Sequence, residues 1–135
     1  MALVVRVVGM TAPDLRFTPQ HEWLQVRDDG TFRVGITDFA QDSLGDIVFV
    51  GLPTVGTVVS AGGPLGEVES TKSVSEVYAP LSGVVVAVND AVETAPETIN
   101  DDPYGSGWLL EIKPEGEVDV ETFLTEAAYL ELVGG

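Results

Sequence analysis

A chain of 135 residues, 44% hydrophobic and 21% charged, is long enough for one domain with a real hydrophobic core and too apolar for intrinsic disorder. Six Lys and Arg against 22 Asp and Glu leave a net charge of -16, which repels nucleic acid and anionic membrane and favours partners with basic docking patches. With no cysteine, a disulfide framework, a thiolate nucleophile and a cysteine-based metal site are excluded, and with one histidine a His-rich metal site or a Ser-His-Asp triad is hard to assemble.

Residues 1–14 begin MALVVRVVGM, an apolar run interrupted by Arg6 with no basic stretch before it. Neither a signal peptide nor a transit peptide is predicted there, and no run in the chain is long enough to span a membrane. We expect residues 1–14 to be a flexible extension, with an added edge strand as the competing reading, and residues 15–135 to form the folded domain. Residues 22–27 pattern as a strand, Asp28-Asp29-Gly30 as a turn and residues 31–36 as the returning strand. Thr37 is a fitting N-cap for a short helix that runs to Leu44 and is closed by Gly45. Residues 46–52 (DIVFVGL) read as a buried strand. Short strands follow at 58–59, 65–69 and 74–78, and Ser70-Thr71-Lys72-Ser73 forms the hairpin tip between the last two.

Pro80-Leu81-Ser82-Gly83 is a turn into a strand at 84–88, and residues 96–100 suit a single helical turn with Thr94 or Ala95 before it. Residues 101–106 are a loop, and residues 107–113 another strand. Val120, Phe123, Leu124 and Ala127 then recur at helical spacing, with Asp119 as N-cap and Gly134 just past the end. The sum is a mainly β domain of short strands with a C-terminal α-helix.

Only two lysines occur. Lys113 follows a strand and precedes Pro114, as an ordinary solvent-facing charge would. Lys72 sits at a tight turn with Glu67, Glu69 and Glu76 near it. A hairpin tip holds its amine away from the domain, where a modifying enzyme can reach it and an attached group can swing. The carboxylates favour the charged ammonium, which argues against Schiff-base chemistry. On local pattern alone, a solvated turn lysine is the default reading.

The wider sequence shifts that balance. Residues 66–83 (GEVESTKSVSEVYAPLSG) resemble the lipoyl attachment region of the glycine cleavage H proteins. The segments FTPQHEW (17–23), VGITDFAQDSLGDIVF (34–49) and PETINDDPYGSGW (96–108) are similar to that family in the same order, so the likeness covers residues 15 to 132. It implies a single-domain barrel-sandwich hybrid, like lipoyl- and biotinyl-carrier domains, with lipoate joined covalently to Lys72. It further implies a carrier rather than an enzyme, with no catalytic residue of its own. The arm would take the aminomethyl group of glycine from the pyridoxal-phosphate glycine decarboxylase to the folate-dependent aminomethyltransferase, and dihydrolipoyl dehydrogenase would reoxidise it. A lipoate-attaching enzyme is a fourth partner. An apolar groove, built on the strands near Lys72, is expected to shield the loaded arm from water.

Other readings stay open at this point. A lipoyl relay protein that passes lipoyl groups to other carriers would share every motif. Another lipoyl or biotinyl domain is disfavoured, because Thr71 and Ser73 replace the methionines that flank a biotinyl lysine. An enzyme using Lys72 as a nucleophile lacks a paired base. His21 reads as structural before catalytic, Trp23 and Trp108 as core or cleft lining, and Asp101-Asp102 lacks the further ligands of a calcium loop, so no metal site is expected. A monomer is expected, in the cytoplasm of a prokaryote or in the mitochondrial matrix of a eukaryote.

Overall fold

The computed structural model describes residues 15–134. The expectations for residues 1–14, and the end of the domain at Gly135, lie outside the described residues. Strands β1 (Arg16–Phe17), β2 (Glu22–Val26) and β3 (Phe32–Ile36) lead into helix α1 (Asp38–Leu44). Next come β4 (Ile47–Gly51), β5 (Val58–Val59), β6 (Pro64–Ser70), β7 (Val74–Tyr78) and β8 (Gly83–Val88). Helices α2 (Asp90–Thr94) and α3 (Glu97–Asp101), strand β9 (Leu110–Pro114) and helix α4 (Glu126–Gly134) complete the chain.

The strands form two open antiparallel sheets, ordered β1-β2-β3-β9-β8-β5 and β4-β6-β7. One continuous core joins them. Val34, Val85 and Ile112 come from the larger sheet, Val50, Val68 and Val77 from the smaller. This is the mainly β sandwich of short strands that the sequence predicts.

The hairpin of β2 and β3 shows how residue choice sets local packing. Trp23 pairs with Gly35 across the ladder. A Cβ on Gly35 would stand 2.6 Å from the Trp23 ring, so only glycine lets the indole lie flat over β3. Trp23 is fully buried, and its Nε1 donates to the Pro103 carbonyl at 2.9 Å.

Helix α1 forms as its ends predict. Thr37 Oγ1 accepts from Ala40 N at 3.2 Å, and Gly45 ends the helix at φ 83. Other expectations are corrected. The strand at 46–52 is not buried throughout: the ladder shifts between Ile47 and Phe49, and this irregularity leaves Val48 and Phe49 both exposed between buried Ile47 and Val50.

The helical turn expected at 96–100 forms one residue later, as α3, with Pro96 at its N-cap position and no side-chain bond there. Asn89 caps a helix not foreseen, α2, by accepting from Ala91 N, and its amide donates to the Ser106 and Trp108 carbonyls.

The C-terminal stripe is broken. Asp119 caps only a 3-10 turn at Val120–Thr122. Phe123 is extended, and Leu124 exchanges two backbone hydrogen bonds with Phe17, at 2.9 and 2.8 Å. Edge strand β1 thus captures the segment before a helix can run through it. α4 starts three residues beyond Phe123 with Thr125 Oγ1 accepting from Ala128 N, and Gly134 is its last residue rather than the one past it.

Candidate functional site

Lys72 lies where the sequence places it, at the tip between β6 and β7. These strands pair Glu69 with Val74, Val68 with Ser75 and Glu67 with Glu76. Val68 and Val77 point into the core and root the hairpin. Ser70 closes the turn: its N–H donates to Ser73 O at 2.8 Å, and its Oγ accepts from Lys72 N at 3.2 Å and Ser73 N at 3.1 Å. The result is a tight turn with an exposed lysine at its apex.

The tip is not free-standing. Thr71 N donates to Asp46 O at 3.0 Å, which ties it to the link between α1 and β4. The methylene stem of Lys72 passes over Gly45, where an added Cβ would lie 3.7 Å from Lys72 Cε. Neither ion pair seen among the described residues, Arg27–Glu111 and Arg33–Glu111, involves Lys72. Glu67 and Glu76 face each other across the ladder, a like-charge pair that makes this sheet surface strongly acidic. Phe49, Glu69 and Val74 form one row across β4, β6 and β7, and Phe49 and Val74 are largely exposed.

The remaining candidates take structural places. Lys113 is exposed on β9 opposite Val84. His21 sits at φ 74, in a turn held by bonds from its N–H to Thr18 O and from Thr37 N to its carbonyl. Its Nδ1 and Thr37 Oγ1 each lie 2.7 Å from the Tyr129 hydroxyl, which latches α4 to the start of α1. Burial pushes the His21 imidazole below its usual pKa, so it favours the neutral form. Trp108 is half-buried under the Arg33 guanidinium, 4.2 Å from the ring centre.

The loop of Asp101 and Asp102 staples the fold. Asp102 Oδ2 accepts from Ser106 N at 3.0 Å, and Tyr104 Oη accepts from Asp38 N at 2.9 Å. No group of three or more His, Cys, Asp or Glu among the described residues is placed to hold a metal ion.

One notable residue was missed. Glu22 is only 2% exposed and bridges the two sheets. Its carboxylate accepts from Thr18 Oγ1 at 2.6 Å and from Tyr78 N, at the far end of β7, at 3.1 Å. Burial raises its pKa, against these two hydrogen bonds. In the sequence Glu22 looks like one more surface acid. A carboxylate within an apolar strand, EWLQV, was the available signal. Glu22 also borders a cavity of about 470 Å³ with Gln20, Tyr78, Pro80 and Phe123.

A family model described as Glycine cleavage H-protein matches residues 15–134. A glycine cleavage system H protein from Mycobacterium avium is 55% identical over 113 residues, covering 84% of this chain and 86% of that one. Another, from Psychrobacter cryohalolentis, is 53% identical over 116 residues, covering 86% and 92%. A crystal structure of a glycine cleavage system H protein from Mycobacterium marinum superposes with a TM-score of 0.83 at 45% identity, covering 93% of this chain and all of that one.

Proposed function

The chain belongs to the glycine cleavage H-protein family, and from that premise we propose that it is a lipoyl carrier whose arm is attached at Lys72. The observation that carries this reading is the exposed Lys72 amine at the apex of a hairpin rooted in the core. A covalent arm needs an amine that an enzyme can enclose and a base that does not swing with the arm. Val68 and Val77 provide the base, and the bonds of Ser70 fix the turn. The Cys-free chain has no dithiol of its own, so sulfur chemistry must be brought by the attached group.

Lys72 would hold the lipoyl group, which would supply a dithiolane able to accept the aminomethyl group of glycine and, once that group has passed to the folate-dependent aminomethyltransferase, a dithiol that dihydrolipoyl dehydrogenase can reoxidise. The chain's own residues present, orient and steer. Glu67, Glu69 and Glu76 surround the base of the tether with negative charge, which attracts enzymes whose sites are rimmed with basic residues. A carrier must leave each partner quickly, and electrostatic steering gives fast, reversible encounters without large buried interfaces.

This role makes the chain a carrier component and not an enzyme. On this reading its partners are a lipoate-attaching enzyme and the three enzymes named above, and the expected setting is a monomer in the cytoplasm of a prokaryote or the mitochondrial matrix of a eukaryote. Reconstitution tests the reading. Lipoylated protein, mixed with the decarboxylase, aminomethyltransferase and dihydrolipoyl dehydrogenase, should support glycine-dependent release of carbon dioxide and ammonia. Lys72→Arg, prepared in the same way, should not. If the lipoylated chain donates its lipoyl group to other carriers but supports no glycine breakdown, the relay role replaces this one.

A further inference from the structure

We infer that Asn100, on α3, is the residue that positions the Lys72 tether. This inference rests on the reading of Lys72 as the attachment site. Asn100 has no sequence signal for such a role, and it is separated from Lys72 by 28 positions. The carboxamide makes three bonds to one short stretch of chain. Its Oδ1 accepts from Ile47 N at 2.9 Å, and its Nδ2 donates to Gly45 O and to Gln41 Oε1, each at 2.9 Å. Gln41 is held in turn by a 2.8 Å bond from its Nε2 to Asp38 Oδ1.

The stretch thus clamped, Gly45-Asp46-Ile47, is the strap on which the hairpin tip rests. Asp46 O, between the two clamped residues, accepts from Thr71 N. Gly45 underlies the stem of Lys72. The strap is therefore held on one side by Asn100 and holds the lysine turn on the other.

The chemistry explains why an asparagine stands there. Gly45 O follows the last turn of α1, and Ile47 N begins a strand whose ladder to β6 is irregular at once. Both groups point to the same place with opposite polarity. A carboxamide presents one acceptor and two donors in a plane, which satisfies both groups and Gln41 together. An Asp at this position keeps the acceptor but cannot donate. An Ala leaves the three partners unsatisfied.

α3 itself is fixed by the fully buried Ile99 next door, so the clamp refers the strap to the core. The effect on function is pre-organisation. A modifying enzyme that reads the shape of the turn meets it already formed, and a loosened strap reduces the competent fraction of tips.

The test uses the full-length apo protein, a lipoate-attaching enzyme and two variants, Asn100→Ala and Asn100→Asp. Wild type is first shown by mass to be lipoylated at Lys72. If it is not, the attachment reading fails, and the positioning role assigned to Asn100 fails with it. Given that modification, kcat/KM for lipoyl transfer should fall about tenfold in both variants, the factor expected when one part-buried hydrogen bond of about 1.4 kcal/mol is lost. Acetylation of Lys72 by a small anhydride, which does not read the turn, should stay within about twofold of wild type.

Amide exchange at Thr71 should speed up at least tenfold, while exchange at Leu110 in the core sheet stays as in wild type. That pattern separates positioning from general loss of stability. A folded Asn100→Ala protein that is lipoylated at the wild-type rate overturns the inference. If neither variant folds, exchange in wild type decides. Ile47 and Thr71 should open together with one protection factor, and independent opening overturns the clamp.

Discussion

Glu22 sits between β2 and the end of β7 with only 2% exposure, and its two bonds, to Thr18 and Tyr78, link the sheets. Its folded-state pKa is raised above the ordinary value of 4.5 because burial disfavours the charged form. The sign of its effect on stability follows. Below about pH 4.5 both folded and unfolded chains hold the proton, and the contribution is fully present. It is lost as pH rises through the raised folded value, where the buried group must ionise. Glu22→Gln keeps an acceptor for Tyr78 N and never ionises. We expect its stability relative to wild type to increase from about pH 4 to pH 7, measured by urea unfolding of both proteins. A difference that stays flat, or falls, across that range would contradict the assignment. At this scale the sequence was legible where a local rule acts alone. Thr37 and Gly45 bracket α1 as their types dictate, and Lys72 stands at its turn. Glu22 and Asn100 were not legible, since their roles depend on partners 56 and 53 to 59 positions away.

Among the elements, the β2–β3 hairpin carries the most specific packing. Trp23 lies across Gly35 and is locked from the far side by Pro103. Gly35→Ala would place a methyl 2.6 Å from the indole and force the ring or the strand to move. Overpacking of this kind costs about 1–3 kcal/mol. Urea unfolding should show that loss, with Trp fluorescence shifted in the native state, and an unchanged midpoint would mean that the ring has room to spare.

Elements defined by short-range patterns, such as β2, β3, α1, β6 and β7, were readable from alternation and turn residues. Those decided by competition were not. The stripe of Val120, Phe123, Leu124 and Ala127 has helical spacing, yet the unpaired edge at Phe17 offers Leu124 two backbone bonds and breaks the helix. The strand at β4 has the composition of a buried strand, yet an irregular ladder leaves Val48 and Phe49 exposed. Periodicity reports which residues are apolar. It does not report which neighbour will claim the backbone.

For the whole molecule, the dominant physical property is charge. A net charge of -16 on 135 residues surrounds Lys72 with a field that falls off over about 10 Å at 0.1 M salt. Association with the decarboxylase and aminomethyltransferase should therefore weaken as salt rises, through slower on-rates with little change in off-rates. Stopped-flow binding across a salt series checks this, and salt-independent on-rates would remove electrostatics from the account. The two-sheet architecture and the turn that bears Lys72 were foreseeable together, because residues 66–83 and their flanking segments resemble one family in the same order. The support beneath that lysine was not, since it is assembled from α1, α3 and β4 only after folding.

The central claim is that Lys72 carries a lipoyl group, and intact mass spectrometry of the native protein from lipoate-replete cells tests it most directly. The account predicts one added lipoyl mass, located on Lys72 by peptide mapping and absent from Lys72→Arg. An unmodified chain from such cells, or the same added mass on the Arg variant, would contradict it.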